Sequence, residues 1–288
     1  MGILSVQSRV VFGHVGNSAA AFALERRGHE VWAVDTVRLS NHPGHGPREG
    51  GAADAAEVAA LISGVERAAG FARCEAVLGG YLGRADTGRA LLDAVGRVKR
   101  ANPAATFCLD PVMGDDAEGL YVAPDVAAFV ENELIPAADV LTPNLFELSR
   151  LAGRRPTTLA ETIEAADRIR ARGVRAVVVT SVPGDADHSF VNRNGQQTVS
   201  NLVVADGAWL ATTPRLERKA KGAGDLLAAL FLSWQLSGAG WAAALGKTTA
   251  SVFGILEATA PDALDMALIA AQGELAAPTR SVDATRIR

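Results

Sequence analysis

Short apolar runs alternate with amphipathic helical stretches through the first 180 or so residues, and this alternation constrains the fold more than any other feature. Ile3–Val6, Val31–Val34, Ala76–Leu78, Thr106–Leu109, Val140–Leu141 and Val177–Val179 read as strands. Helical patterns fill the gaps: Gly16–Arg27, Asp54–Ala68, Thr87–Lys99, Leu145–Leu151 and Leu159–Arg172. Strands joined by helical crossovers form βαβ units, so the spacing predicts an α/β fold on a mostly parallel sheet. After Ser181 the pattern changes. Phe190–Asn192, Val199–Val204 and Ala208–Ala211 alternate or carry β-branched residues around turns such as Asn194-Gly195. Antiparallel edge strands are expected there. From Asp225 to Gly273 the chain reads as nearly all helical. No repeat or low-complexity linker interrupts it, so residues 1–288 are expected to form one domain.

Composition removes several function classes. A net charge of −4 provides no basic field for nucleic acid and no polybasic membrane patch. Leu226–Gly246 is uncharged and long enough to span a bilayer. Ser233, Gln235 and Ser237 break it, however, and Ser237-Gly238-Ala239-Gly240 reads as a turn between two buried helices. Cys74 and Cys108 lack Cys-x-x-Cys spacing and sit in apolar runs, which points to free thiols in a reducing compartment. The chain opens on a strand-like run with no secretory leader, so a cytoplasmic protein is expected.

The polar residues fall in a pattern of their own. Ser8, Tyr81, Asp110, Thr142, Asn144, Glu147, Thr180 and Ser181 each follow an apolar run. The carboxyl edge of an open parallel sheet is where ligands bind, and together these residues outline a cleft. Asp110-Pro111-Val112-Met113-Gly114-Asp115 places two carboxylates in one loop, suited either to Mg²⁺ or to a plain turn. Thr142-Pro143-Asn144-Leu145-Phe146-Glu147 brings an acid one helical turn past a strand end. It reads equally as a capping box.

Lys221-Gly222-Ala223-Gly224-Asp225 leads directly into the apolar helix Leu226–Phe231. A helix start presents unpaired N–H groups and a partial positive charge, and glycine lets a phosphate approach the main chain. Asp225 can also be read as an ordinary cap. Other patterns fail. Gly240–Thr248 has five residues between its glycines where a phosphate-binding P-loop needs four, and no strand precedes it. No Gly-x-Gly-x-x-Gly follows a strand. His42 and His45 lack an acidic or cysteine partner at metal-binding spacing. Trp209, Trp234 and Trp241 are expected in the core.

With these three motifs in this order, the chain resembles the ribokinase-like superfamily of small-molecule kinases. The opening Ser5–Ala20, together with Leu39-Ser40-Asn41-His42 and Gly79-Gly80-Tyr81-Leu82-Gly83, resembles the pyridoxal kinase family within it. The resemblance weakens at residues 182–205 and beyond about 260. It implies a three-layer α/β/α sandwich and transfer of phosphate from ATP to the 5′-hydroxymethyl group of pyridoxal, and also of pyridoxine or pyridoxamine. By the same resemblance, Asp225 takes the hydroxyl proton and the amides of Gly222, Ala223 and Gly224 form the anion hole. Asp110, Asp115 and Glu147 hold Mg²⁺ directly or through water, and Thr142 lies nearby with them at the ATP site. Thr180 touches the ATP phosphates, and Thr213-Pro214-Arg215-Leu216 lines the adenine site. Ser8 bonds the ring substituents, while Val15, His42 and Tyr81 line the vitamin pocket. A homodimer and a monovalent-cation requirement are family expectations only.

Two departures stand out. Pro43 replaces the Thr that often follows Ser-Asn-His, and Pro43–Gly51 lacks the usual aromatic residues, carrying His45 instead. This Gly/Pro-rich loop, within 36–51, is a candidate lid, and its altered chemistry bears on vitamer preference. Lys221 reads either as added charge at the γ-phosphate or as a solvated lysine. The alternatives to a pyridoxal kinase are a hydroxymethylpyrimidine or sugar kinase on the same scaffold, or a non-catalytic pyridoxal- or nucleotide-binding protein. Asp at 225 disfavours pyrimidine kinases that carry Cys there. Retention of Asp225, both glycines and all three acids disfavours a binding protein.

Overall fold

The computed structural model describes residues 1–182 and 195–288. The expected strand at Phe190–Asn192 lies outside them. The strands are β1 (Gly2–Phe12), β2 (Glu30–Asn41), β3 (Gly50–Ala52), β4 (Cys74–Gly79) and β5 (Thr106–Leu109), then the short β6 (Gly114–Asp115) and β7 (Gly119–Leu120). They continue with β8 (Val140–Leu141), β9 (Ala176–Val179), β10 (Thr198–Val204), β11 (Ala208–Pro214) and β12 (Ala284–Arg286). Among the described residues they form a ten-stranded sheet in the order β12-β11-β10-β9-β8-β5-β4-β1-β2-β3, with β6 and β7 as a separate hairpin. The six strands from β9 to β2 run parallel; β3, β10, β11 and β12 are antiparallel. The sheet is therefore the mostly parallel one expected, with antiparallel edges.

Helices cover both faces, because alternate residues of a strand point opposite ways. Leu4, Val77, Phe107, Leu109, Val177 and Val179 face one core. That layer holds α2 (Ala55–Ala69), α3 (Ala85–Ala101), α4 (Pro124–Phe129), α5 (Leu145–Ala152) and α6 (Leu159–Arg170). Ile3, Ala76, Leu78, Cys108 and Val178 face the other. There α1 (Asn17–Arg26), α7 (Ala223–Leu236), α8 (Trp241–Ala258) and α9 (Gly273–Ala276) pack. The apolar stretch after Asp225 is thus two core helices joined by the expected turn at 237–240. Among the described residues no helix is long and apolar enough to cross a membrane. Both cysteines are buried and free, and Trp209, Trp234 and Trp241 pack against the second core.

Three local expectations are corrected. β1 and β2 are far longer than the apolar runs at their starts. Past the bulge at Gln7/Arg9 they keep pairing as far as Phe12 and Asn41. Ser8 therefore lies within a strand, at its bulge, and not past its end. The expected loop at 36–51 is strand up to Asn41, a single 3₁₀ turn at Pro43–His45, and then β3 pairing back onto β2. Exposed glycines hide that return strand from any apolar pattern. From residue 259 to 272 the chain is mostly turns, not the nearly all-helical stretch expected as far as Gly273, and α9 and the edge strand β12 follow.

Candidate active site

The site forms along the carboxyl edge of the parallel strands, at the N-terminus of α7. Gly222 caps that helix with φ +96°, and a Cβ there would meet the His14 carbonyl oxygen at 2.1 Å. Only glycine fits, both by conformation and by space. At Gly224 the nearest atom to an added Cβ is Asp110 Oδ2, at 4.0 Å, so the helix start is open towards the acids. Asp225 is in the first turn and takes no cap position. Burial pushes its carboxyl up to about 6, while hydrogen bonding from the backbone N–H of Gly16 and of Asp225 itself favours the charged form. Gly16 in turn packs on Ser8, whose carbonyl oxygen and Oγ would clash with a Cβ there. Ser8, Gly16 and Asp225 are thus contiguous, and Val15 lies buried beside them at the entry to α1.

Asp110 and Glu147 are the buried acids, at 8% and 2% exposure. Burial, then the Glu147 charge, then the Asp225 charge hold the Asp110 carboxyl well above the usual carboxylate range. The Thr142 hydroxyl donates to Asp110 Oδ1 at 3.1 Å. Burial raises Glu147 to about 7, opposed by the backbone N–H groups it accepts. Its Oε1 receives Met113 N–H at 2.9 Å and its Oε2 receives Asn144 N–H at 2.9 Å. Asn144 Oδ1 accepts the Glu147 N–H in return, at 2.9 Å, so the capping box is formed in full. Glu147 is therefore a strut joining the 110–115 loop to α5, and it also faces the acid cluster.

Asp115 opens the β6–β7 hairpin. Its Oδ1 accepts the Ala117 and Glu118 N–H groups at 2.9 and 2.7 Å, and its Oδ2 lies 3.6 Å from Lys221 Nζ. Glu118 flanks the same ammonium at 3.7 Å. Lys221 therefore stands between the hairpin acids and the glycine turn. Among the described residues no group of three or more His, Cys, Asp or Glu side chains is placed to hold a metal ion directly. The buried Asp110 and Glu147 with the part-exposed Asp115 offer oxygens alone, which fits an ion that keeps much of its water, as Mg²⁺ does.

Thr180 bridges to Asn144, its N–H donating to the Pro143 carbonyl at 3.2 Å, and so joins the acid cluster. Thr213 and Pro214 end β11 opposite Val199 and Thr198, and the Arg215 N–H donates to the Gln197 carbonyl at 2.8 Å. The strand order places this 213–216 segment at the same sheet edge, beyond β9 and Thr180. On the other side, Tyr81 follows β4 and its carbonyl accepts from the Thr36 hydroxyl at 2.6 Å. His42 caps the 3₁₀ turn, Nδ1 accepting the Gly44 N–H at 3.0 Å, with Pro43 first in that turn. Burial and then the Lys221 charge lower the His42 pKa.

Two participants escaped sequence reading. The Gly16 amide carries no side-chain signal at all. Tyr121 follows β7 with its ring 6.4 Å from that of Tyr81. Tyr121 is 42% exposed overall, but local burial of its hydroxyl and then the charges of Glu147, Asp110, Asp115 and Asp225 raise the hydroxyl pKa.

A helix N-terminus open towards buried acids, on the carboxyl edge of a parallel sheet, defines the class: a phosphoryl-transfer enzyme of α/β architecture. Comparison with known proteins agrees. The phosphomethylpyrimidine kinase family model matches residues 55–263. Pyridoxal kinase PdxY of Rubrobacter xylanophilus is 45% identical over 282 residues, covering 96% of this chain and 94% of that one. Pyridoxal kinase PdxY of Corynebacterium diphtheriae is 40% identical over the whole of both. The pyridoxal kinase of Leishmania donovani, solved in complex with ADP and pyridoxamine, superposes with a TM-score of 0.89 at 28% identity, covering 100% of this chain and 99% of that one. The chain belongs to the pyridoxal kinase family.

Proposed function

We propose that this chain is an ATP-dependent pyridoxal kinase, transferring the γ-phosphoryl group of ATP to the 5′-hydroxymethyl group of pyridoxal in vitamin B6 salvage. The observation that carries this reading is the placement of Asp225 in the first turn of α7, between the Gly16 amide and the acid cluster around Asp110. Phosphoryl transfer depends on positioning and on neutralising charge, and both resources converge there. Asp225 accepts the proton of the 5′-hydroxyl as its oxygen attacks the γ-phosphorus and the bond to ADP breaks. The N–H groups of Gly222, Ala223 and Gly224 receive the negative charge of the transferring group. Ser8, Val15, His42, Pro43 and Tyr81 surround the vitamin. Thr142, Thr180 and the 213–216 segment take the nucleotide.

Asp110, Asp115 and Glu147 would hold Mg²⁺ largely through water, since Asp115 and Glu147 already bond backbone N–H groups. When bound, that ion offsets charge on the β- and γ-phosphates. Thr142 would hold the Asp110 carboxylate in place for that role. A homodimer and a monovalent cation belong to the same proposal by family likeness.

A coupled ADP-release assay with Mg·ATP tests the reading on pyridoxal, pyridoxine, pyridoxamine, hydroxymethylpyrimidine and ribose. Turnover is expected with B6 vitamers. No turnover of any of them, or a higher kcat/KM for hydroxymethylpyrimidine, overturns it.

A further inference from the structure

His45 is the one residue between Pro43 and Gly50 that is not exposed to solvent. Its side chain is 14% exposed, and Nε2 lies 3.1 Å from Asp265 Oδ2, at ion-pair distance though off the hydrogen-bonding direction. Phe12, where β1 ends, meets its ring edge-on at 5.3 Å between centroids. The other charged groups around this turn are His42 on the turn itself, Lys221 before α7 and Glu118 on the β6–β7 hairpin.

Asp265 stands on a fixed base. Met266 and Leu268 beside it are buried, and the Ala267 N–H donates to Thr259 Oγ1 at 2.9 Å. The same short segment reaches the catalytic turn: Lys221 bridges to Asp265, its N–H donating to the Leu264 carbonyl at 3.2 Å. Asp265 also packs on Gly13, where a Cβ would meet Oδ1 at 2.3 Å. The lid turn, the end of β1 and the glycine turn therefore converge on one carboxylate.

We propose that His45 and Asp265 form the latch of the lid, which makes Asp265 a positioning residue for the vitamin. The pair ties the exposed 43–46 turn to the segment that also bonds the Lys221 backbone. Asn41 Nδ2 donates to the His42 and Pro47 carbonyls and Ser40 Oγ accepts the Glu49 N–H, but these bonds stay within the β2–β3 hairpin, whereas the His45–Asp265 pair reaches across to a separate segment. The role assigned to the vitamin rests on the pyridoxal kinase reading; the latch itself does not.

The test separates the two. Arg48 is exposed within the lid, so trypsin cleavage after it reports lid opening without any turnover. A half-buried pair of this kind changes an equilibrium by about fivefold. Asp265→Asn and His45→Gln are each expected to speed cleavage at Arg48 by about fivefold, and the double variant by no more than either alone. In the kinase assay each raises the pyridoxal KM by a similar factor, with kcat and the ATP KM within about twofold of wild type. Cleavage at Arg48 that is unchanged in both single variants, or effects that multiply in the double variant, overturns the latch. A wild-type protein that turns over no B6 vitamer overturns the function and leaves the cleavage result to decide the latch.

Discussion

The backbone N–H of Gly16, at the entry to the first helix, faces the carboxylate of Asp225 in the first turn of the seventh. One carboxylate thus joins the Ser8 side of the cleft, at the entry to α1, to the start of α7. That amide favours the charged form of a group that burial otherwise pushes towards neutrality. In the proposed role of base, a carboxylate held in this way needs only a small shift to accept a proton.

Asp225→Asn keeps the shape and removes the base. A drop in kcat on the order of 10²–10⁴-fold is expected, with ATP affinity largely kept. Steady-state kinetics beside nucleotide titration separates the two effects. Turnover like that of wild type removes Asp225 from the role.

The pH profile follows from the same group. Asp225 acts as a base only when ionised, and its carboxyl is raised to about 6. kcat/KM should therefore be at its plateau above about pH 7 and fall as pH drops through 6, by roughly tenfold for each further unit. A profile flat down to pH 5 contradicts that assignment.

How far the sequence exposes this site depends on what each residue does. The parallel sheet is legible because buried strands must be continuously apolar, as Val177–Val179 are. The acids and glycines are legible because each stands beside a strand end or a helix start. The lid is not: β3 is Gly50-Gly51-Ala52, held by backbone pairing to β2 that no side chain announces. Asp265 is equally hidden. Its segment has no period, and its meaning comes from docking against Gly13, His45 and Lys221. Glu147 offered two readings, ligand or cap, and the structure realises the cap while keeping the acid in the cluster.

That double duty gives a stability prediction. Glu147→Ala leaves the N–H groups of Met113 and Asn144 without their partner in a buried setting. The cost is about 2–4 kcal/mol, read as a lower midpoint in urea unfolding of the metal-free protein. Because the carboxyl is raised to about 7, the wild-type Glu147 is least costly when protonated. The unfolded chain releases this proton first, so its contribution to stability falls as pH rises from about 4.5 to about 7. A Glu147→Ala variant as stable as wild type would show the strut to be idle.

Lys221 gives the sharpest division between stability and function. Its contacts with Asp115 and Glu118 are long, 3.6 and 3.7 Å, on a side chain that is 43% exposed. Surface pairs of that kind contribute about 0–1 kcal/mol, so Lys221→Met should leave the unfolding midpoint nearly unchanged. Beside the open start of α7, however, the ammonium can leave Asp115 and Glu118 for the phosphates of bound ATP. Loss of one such charged contact costs about 1.5 kcal/mol, or roughly tenfold in the KM for Mg·ATP, with the pyridoxal KM kept. Equal KM values for Mg·ATP in wild type and variant would assign Lys221 to solvent.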